Sequence, residues 1–108
     1  MAVARIGLCK GRHEISDGGE VVDTFIFQEA IADPHDFTRM TKESFNFFEN
    51  LLTDTGLEES SEIHLFVTGL TSALISTLKA YEDFPYAPKL VLRHFNRDTN
   101  EYTIQDWR

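Results

Sequence analysis

An α/β domain on a mostly parallel sheet is predicted by three observations on this 108-residue chain. Extended apolar runs alternate with segments of helical period, in the order strand, helix, strand, helix, strand. Residues 63–67 (IHLFV) lie between the two helical patterns and are apolar almost throughout, as a strand covered on both faces is. Strong turn chemistry sits near both ends, at Asp17-Gly18-Gly19 and at residues 96–100 (NRDTN).

Residues 2–9 (AVARIGLC) are short and partly alternating, and predict a first strand. The Asp17-Gly18-Gly19 turn predicts a hairpin whose second arm, residues 21–27, is rich in β-branched and aromatic side chains. Asp33-Pro34 predicts a helix start, with Asp33 as the capping acceptor and Pro34 in the first turn. Phe37, Met40, Ser44, Phe48 and Leu51 then recur at helical spacing up to Gly56, the C-cap candidate. Residues 62–69 (EIHLFVTG) predict the central strand. A second helix is expected over residues 71–82, with Leu70, Leu74, Leu78 and Tyr81 along one face. Pro85 and Pro88 bracket a loop. Residues 89–95 (KLVLRHF) and 101–107 (EYTIQDW) predict two closing strands around the 96–100 turn. The order is β-β-α-β-α-β-β over one domain, residues 1–108. It predicts a small Rossmann-like three-layer domain, with the hairpin arm and the last strand antiparallel at the sheet edges. The runner-up places both helices on one face of a mostly antiparallel sheet.

Composition narrows the function classes. At 42% hydrophobic residues, with nine Phe, the chain can bury a core rather than stay disordered. Its one cysteine, Cys9, excludes an internal disulfide and a cysteine-based zinc site. Four histidines without i,i+4 pairing predict no metal, and nothing calls for a cofactor. The longest apolar runs fall well short of the ~20 residues of a membrane span. Residues 1–14 read as a strand rather than a signal peptide, so a cytoplasmic protein is expected. A net charge of −8 repels duplex nucleic acid, yet leaves room for a local basic pocket or a basic protein partner.

The topology directs attention to the carboxyl ends of the parallel strands, where open sheets bind ligands. Lys10, Arg12 and His13 follow the first strand; Thr68, Gly69, Thr71 and Ser72 follow the central one; Arg93, His94 and Arg97 fall at the end of the third. Basic residues would gather there on an otherwise acidic body. The segment TGLTS leads from a strand into a helix, so free N–H groups and the helix dipole point to the same rim. Gly69 permits close approach of a ligand, and Thr71 and Ser72 offer hydroxyls. The expected ligand-binding set is therefore Lys10, Arg12, Gly69, Thr71, Ser72, Arg93 and Arg97. His13 and His94 are the acid–base candidates. For the loop alone, the plainer alternative is a tight turn at Gly69 and an ordinary cap at Thr71.

Other residues have structural readings. His64 belongs in an apolar strand as a core or second-face histidine, and His35 at an exposed helix start. Cys9 reads as a small buried residue, although Lys10 beside it would favour the thiolate. Phe45, Phe47 and Phe48 read as core; one of them facing out would mark a dimer surface, as would Trp107.

The segments GLCKGRHEI, FVTGLTSAL and HFNRDTNEY together resemble short uncharacterised proteins of phages and mobile elements of Gram-positive bacteria. More loosely, the layout and the Gly69–Thr71 loop resemble small Rossmann-like CRISPR-associated sensor and ring-nuclease domains. That resemblance implies a cyclic oligonucleotide bound at the strand ends, commonly across a two-fold axis, so a homodimer or higher homo-oligomer is expected. No effector domain and no nuclease signature accompany it. The resulting expectation is an accessory protein that binds an anionic, nucleotide-type ligand and senses or sequesters a defence signal. The alternatives are a metal-independent phosphodiesterase acting on a cyclic oligonucleotide, and an acidic interaction or inhibitor module with no ligand.

Overall fold

The computed structural model describes residues 2–11 and 13–108. Alternation in the first segment forms β1 (Val3–Cys9), whose Ile6 and Leu8 are buried on one face. Gly18 and Gly19, both at positive φ, fold β2 (Ile15–Asp17) onto β3 (Glu20–Val22) as an antiparallel hairpin. After a break at Asp23-Thr24 the chain enters β4 (Phe25–Phe27). It continues through α1 (Phe37–Thr55), β5 (Glu62–Phe66), α2 (Thr71–Tyr81), β6 (Lys89–Asn96) and β7 (Glu101–Asp106). The five-stranded sheet has the order β4-β1-β5-β6-β7. All its neighbours are parallel except β6 and β7. The fold is thus mixed α/β with a mostly parallel sheet, and β5 is its central, buried strand.

Three expectations are corrected. The predicted hairpin arm is two strands, of which β3 stays in its own two-stranded sheet. The other, β4, lies parallel to β1 rather than antiparallel, with Gly7 opposite Phe25 and Cys9 opposite Phe27. Gly7 makes this possible, because a Cβ there would strike the Phe25 ring. The first helix starts three residues later than expected. The Asp33 carboxylate is engaged by the His35 N–H at 2.9 Å in a local turn, and Asp36 caps the helix by accepting from Arg39 N–H. Gly56 ends α1 as foreseen, at φ 62°, donating its N–H to the Leu52 carbonyl.

The third correction concerns the layers. Ile6, Leu8, Ile63, Leu65, Leu90 and Leu92 form one sheet face and pack with Met40 and Phe48 of α1 and Leu78 and Tyr81 of α2. Both helices therefore share a face. Phe25 and Phe66 on the opposite face are covered by Ile15 and Val22 of the hairpin, with Tyr102 beside them. Crossover handedness explains the arrangement. The steps β4→β5 and β5→β6 run the same way along the sheet, so right-handed connections put both helices on one side. The step β1→β4 runs the opposite way, which sends its connection, the hairpin, to the other side. Among the described residues no helix is long and apolar enough to cross a membrane.

Candidate functional site

The chain reverses direction along the sheet beside β1, so the topological switch point lies between the carboxyl ends of β1 and β5. The two ends are tied together there by one hydroxyl. Thr68 Oγ1 donates to the Cys9 carbonyl at 2.7 Å and accepts the Cys9 N–H at 3.2 Å. Gly69 follows at φ 85°, and a Cβ on it would lie 2.7 Å from Cys9 Cβ and 2.8 Å from Cys9 Sγ. Burial pushes the Cys9 thiol up, while a backbone hydrogen bond from Leu70 offsets part of that. Gly69 thus has a packing reason of its own: it lets the Cys9 side chain fill the corner.

Beyond that corner α2 begins. Leu70 is its N-cap and provides no side-chain cap, so Thr71 is the first helical residue rather than the cap. Thr71 is exposed, and Ser72 Oγ donates to the Pro34 carbonyl at 3.1 Å, tying α2 to the segment before α1. Lys10 is exposed just after β1. Arg97 is exposed in the β6–β7 turn, beyond a strand two places from β1, or roughly 10 Å away across the sheet. His13 is exposed in the segment after β1, and His94 Nε2 lies 2.8 Å from Gln105 Oε1. Arg12 lies outside the described residues.

Arg93 is not with these residues. It sits opposite Phe66 in the β5–β6 register and is buried on the hairpin side of the sheet. Its guanidinium donates to Asp17 Oδ1 at 2.9 Å, to Asp17 Oδ2 at 3.3 Å and to the Tyr102 carbonyl at 3.3 Å. It also stands 5.1 Å over the Phe66 ring centroid and 3.1 Å from His64 Nδ1. Since a guanidinium only donates, His64 Nδ1 is the acceptor, and Nε2–H is left to donate to Glu62 at 2.9 Å. Arg5 reaches the same Asp17 at 2.9 Å and Glu20 at 3.1 Å. Burial pushes the Asp17 carboxyl up, but the hydrogen bonds from Arg5 and Arg93 outweigh it and hold it below the usual carboxylate range. Arg93 is thereby a clamp between hairpin and sheet.

Sequence reasoning missed this charge cluster because the spacing Arg5, Asp17, His64, Arg93 carries no motif. It also missed a groove of about 690 Å³ on the outer side of the helices, lined by Phe37, Lys42 and Phe45 from α1 and Ile75 and Lys79 from α2. A signal for the groove was present: Thr38, Thr41, Lys42 and Phe45 recur at helical spacing on a face that the core does not use. No family model matches the chain, and neither a curated protein nor a solved structure matches it.

Proposed function

We propose that the chain is a small binding domain for an anionic, nucleotide-type ligand seated at the carboxyl ends of β1 and β5. The observation that carries this reading is the start of α2 at the switch point, with no side chain capping its first turn. The first N–H groups of a helix attract phosphate oxygens, and the dipole adds to that attraction. Thr71 supplies a hydroxyl, Lys10 an exposed cation, and Ser72 and Gly69 the shape of the turn. Arg97 would reach only a ligand that extends along the rim. In this proposal the ligand is a signal nucleotide that the protein senses or sequesters, and no catalytic step is assigned to His13 or His94.

The test is calorimetry with mononucleotides and cyclic nucleotides. A binder should lose roughly tenfold in affinity on Lys10→Ala, the loss of one charge-assisted contact. Added salt should weaken the wild type in the same direction. Binding indifferent to both changes would remove the ligand from this rim.

A second reading, an interaction module, is favoured by the outer groove. Its apolar floor is flanked by Lys42 and Lys79 on an acidic protein, which suits an acidic amphipathic partner segment. The pairing of Arg5 and Arg93 with internal acids fits this reading too. Binding of no nucleotide in the panel would favour it.

A further inference from the structure

The sheet has two unlike edges. At one end β4 is three residues long and fully buried. At the other end β7 is six residues long, paired only with β6, and exposed along almost its whole length. It has no proline, no lysine and no bulge in its register with β6, and its only charges, Glu101 and Asp106, stand at its two ends. Ile104 in its middle is 63% exposed, and Phe95 and Trp107 nearby are each 46% exposed.

The hydrogen-bond parity of β7 can be worked out. The Arg93 carbonyl accepts from Val67 N–H, so Arg93 turns its backbone groups toward β5. The Leu90 carbonyl accepts from Trp107 N–H, so the even-numbered residues of β6 turn toward β7. Alternation along the ladder then pairs Leu92 with Gln105 and His94 with Thr103 by hydrogen bonds. Tyr102, Ile104 and Asp106 are left with their N–H and C=O groups directed to the open edge. The Tyr102 carbonyl already takes a 3.3 Å bond from Arg93 and keeps a second lone pair.

We propose that β7 joins a second copy of this chain, antiparallel across a two-fold axis through Ile104, so that the two sheets become one of ten strands. In that register Ile104 meets Ile104 of the second copy and Tyr102 meets Asp106. All three outward-facing residues of each strand are then paired. Shifting the register by one residue in either direction opposes inward-facing to outward-facing groups, and the shift that opposes Thr103 to Ile104 also puts Glu101 against Asp106.

Charge distribution selects a second copy as the occupant. Residues 89–108 carry four Lys and Arg and three Asp and Glu, a net of +1. The remaining 88 residues carry six against fifteen, a net of −9. Within this near-neutral hairpin Asp106 is bridged to Lys89 at 3.2 Å. Edge-to-edge pairing brings two near-neutral hairpins together and keeps the two acidic bodies apart.

Light scattering of the full chain at tens of micromolar should give twice the 12.4 kDa chain mass. Ile104→Lys places two like charges at the axis and should raise the dimer dissociation constant at least about a hundredfold. The side chain is exposed, so circular dichroism of the variant should match the wild type. Ile75→Lys, in the helix groove, should leave the dimer intact. Hydrogen exchange on the wild type gives a readout free of any variant: the Ile104 and Asp106 amides should slow as concentration rises. A wild-type monomer, a dimer that survives Ile104→Lys, a dimer lost only in Ile75→Lys, or exchange at Ile104 independent of concentration would each overturn the interface. None of these outcomes bears on the α2 rim, which is tested by nucleotide binding alone.

Discussion

Glycine replacements at two neighbouring loops separate turn geometry from mere flexibility. Gly69 needs both its left-handed backbone and its missing side chain, since φ is 85° and Cys9 fills the space a Cβ would take. Gly11 has neither a positive φ nor any atom within 4 Å of an added Cβ. Gly69→Ala should therefore lower stability by about 2 kcal/mol or more, combining left-handed strain with a steric conflict. Gly11→Ala should be neutral or raise stability by about 0.4–1 kcal/mol through the unfolded chain. Denaturant melts of the two variants check this, and equal effects would show that the Cys9 corner yields without cost. Sequence pattern marked Gly69 as special, because a glycine between a buried strand and a helix usually is. It could not reveal that the neighbour demanding the glycine is Cys9, sixty residues earlier.

At the scale of elements, the hairpin of β2 and β3 is held on the sheet by Ile15 and Val22 packed on Phe25 and Phe66, and by two carboxylates, Asp17 and Glu20. Asp17 receives both Arg5 and Arg93, and its side chain is only 20% exposed. Breaking a pair this buried by removing one partner leaves Arg93 unpaired, so Asp17→Ala should cost about 3 kcal/mol. Because the folded state holds this carboxyl below its ordinary value of 3.8, its contribution is present above that value. It is lost as pH falls below it, through the folded-state value. Acid titration of the wild type should thus lose stability in that range, and Asp17→Asn should remove this component of the slope. An unchanged acid profile in Asp17→Asn would mean that other carboxylates set the acid limit. The elements themselves were largely legible: β1, β5, both helices and the last two strands follow from period and turn residues. The place of residues 21–27 was not, because a Gly-Gly turn followed by β-branched residues reads as one long arm. Only the break at Asp23-Thr24, together with Gly7 making room for Phe25, turns that arm into a parallel neighbour of β1. The rim was legible as a location and overfilled in membership, since alternation sends Arg93 to the sheet face and not to the strand end.

Over the whole molecule, the middle of the sheet is assembled from distant parts of the chain. β1 pairs with β5 across 59 residues, as in Val3 opposite Glu62, whereas β5 and β6 are 27 apart and β6 and β7 are joined by a short turn. Strand β1 is thus a wedge between β4 and β5 that closes the largest loop in the sheet. Loop closure of this kind comes late in folding, because its entropy must be met before its contacts form. The transition state should contain β5, α2, β6 and β7, with β1 and β4 docking afterwards. Ile63→Val in β5 should then slow refolding, while Ile26→Val in β4 should mainly speed unfolding. Each replacement should cost about 0.5–1.5 kcal/mol at equilibrium, so the kinetic arms can be read wherever the cost exceeds ~0.6 kcal/mol. The reverse partition would place the wedge in the nucleus. A chain emerging in order from a ribosome would release β1 and β4 first and β5 only after α1. Both early strands would wait with Ile6, Leu8 and Ile26 unsheltered until the middle of the sequence arrived, an interval in which a chaperone that holds extended apolar segments has something to grip.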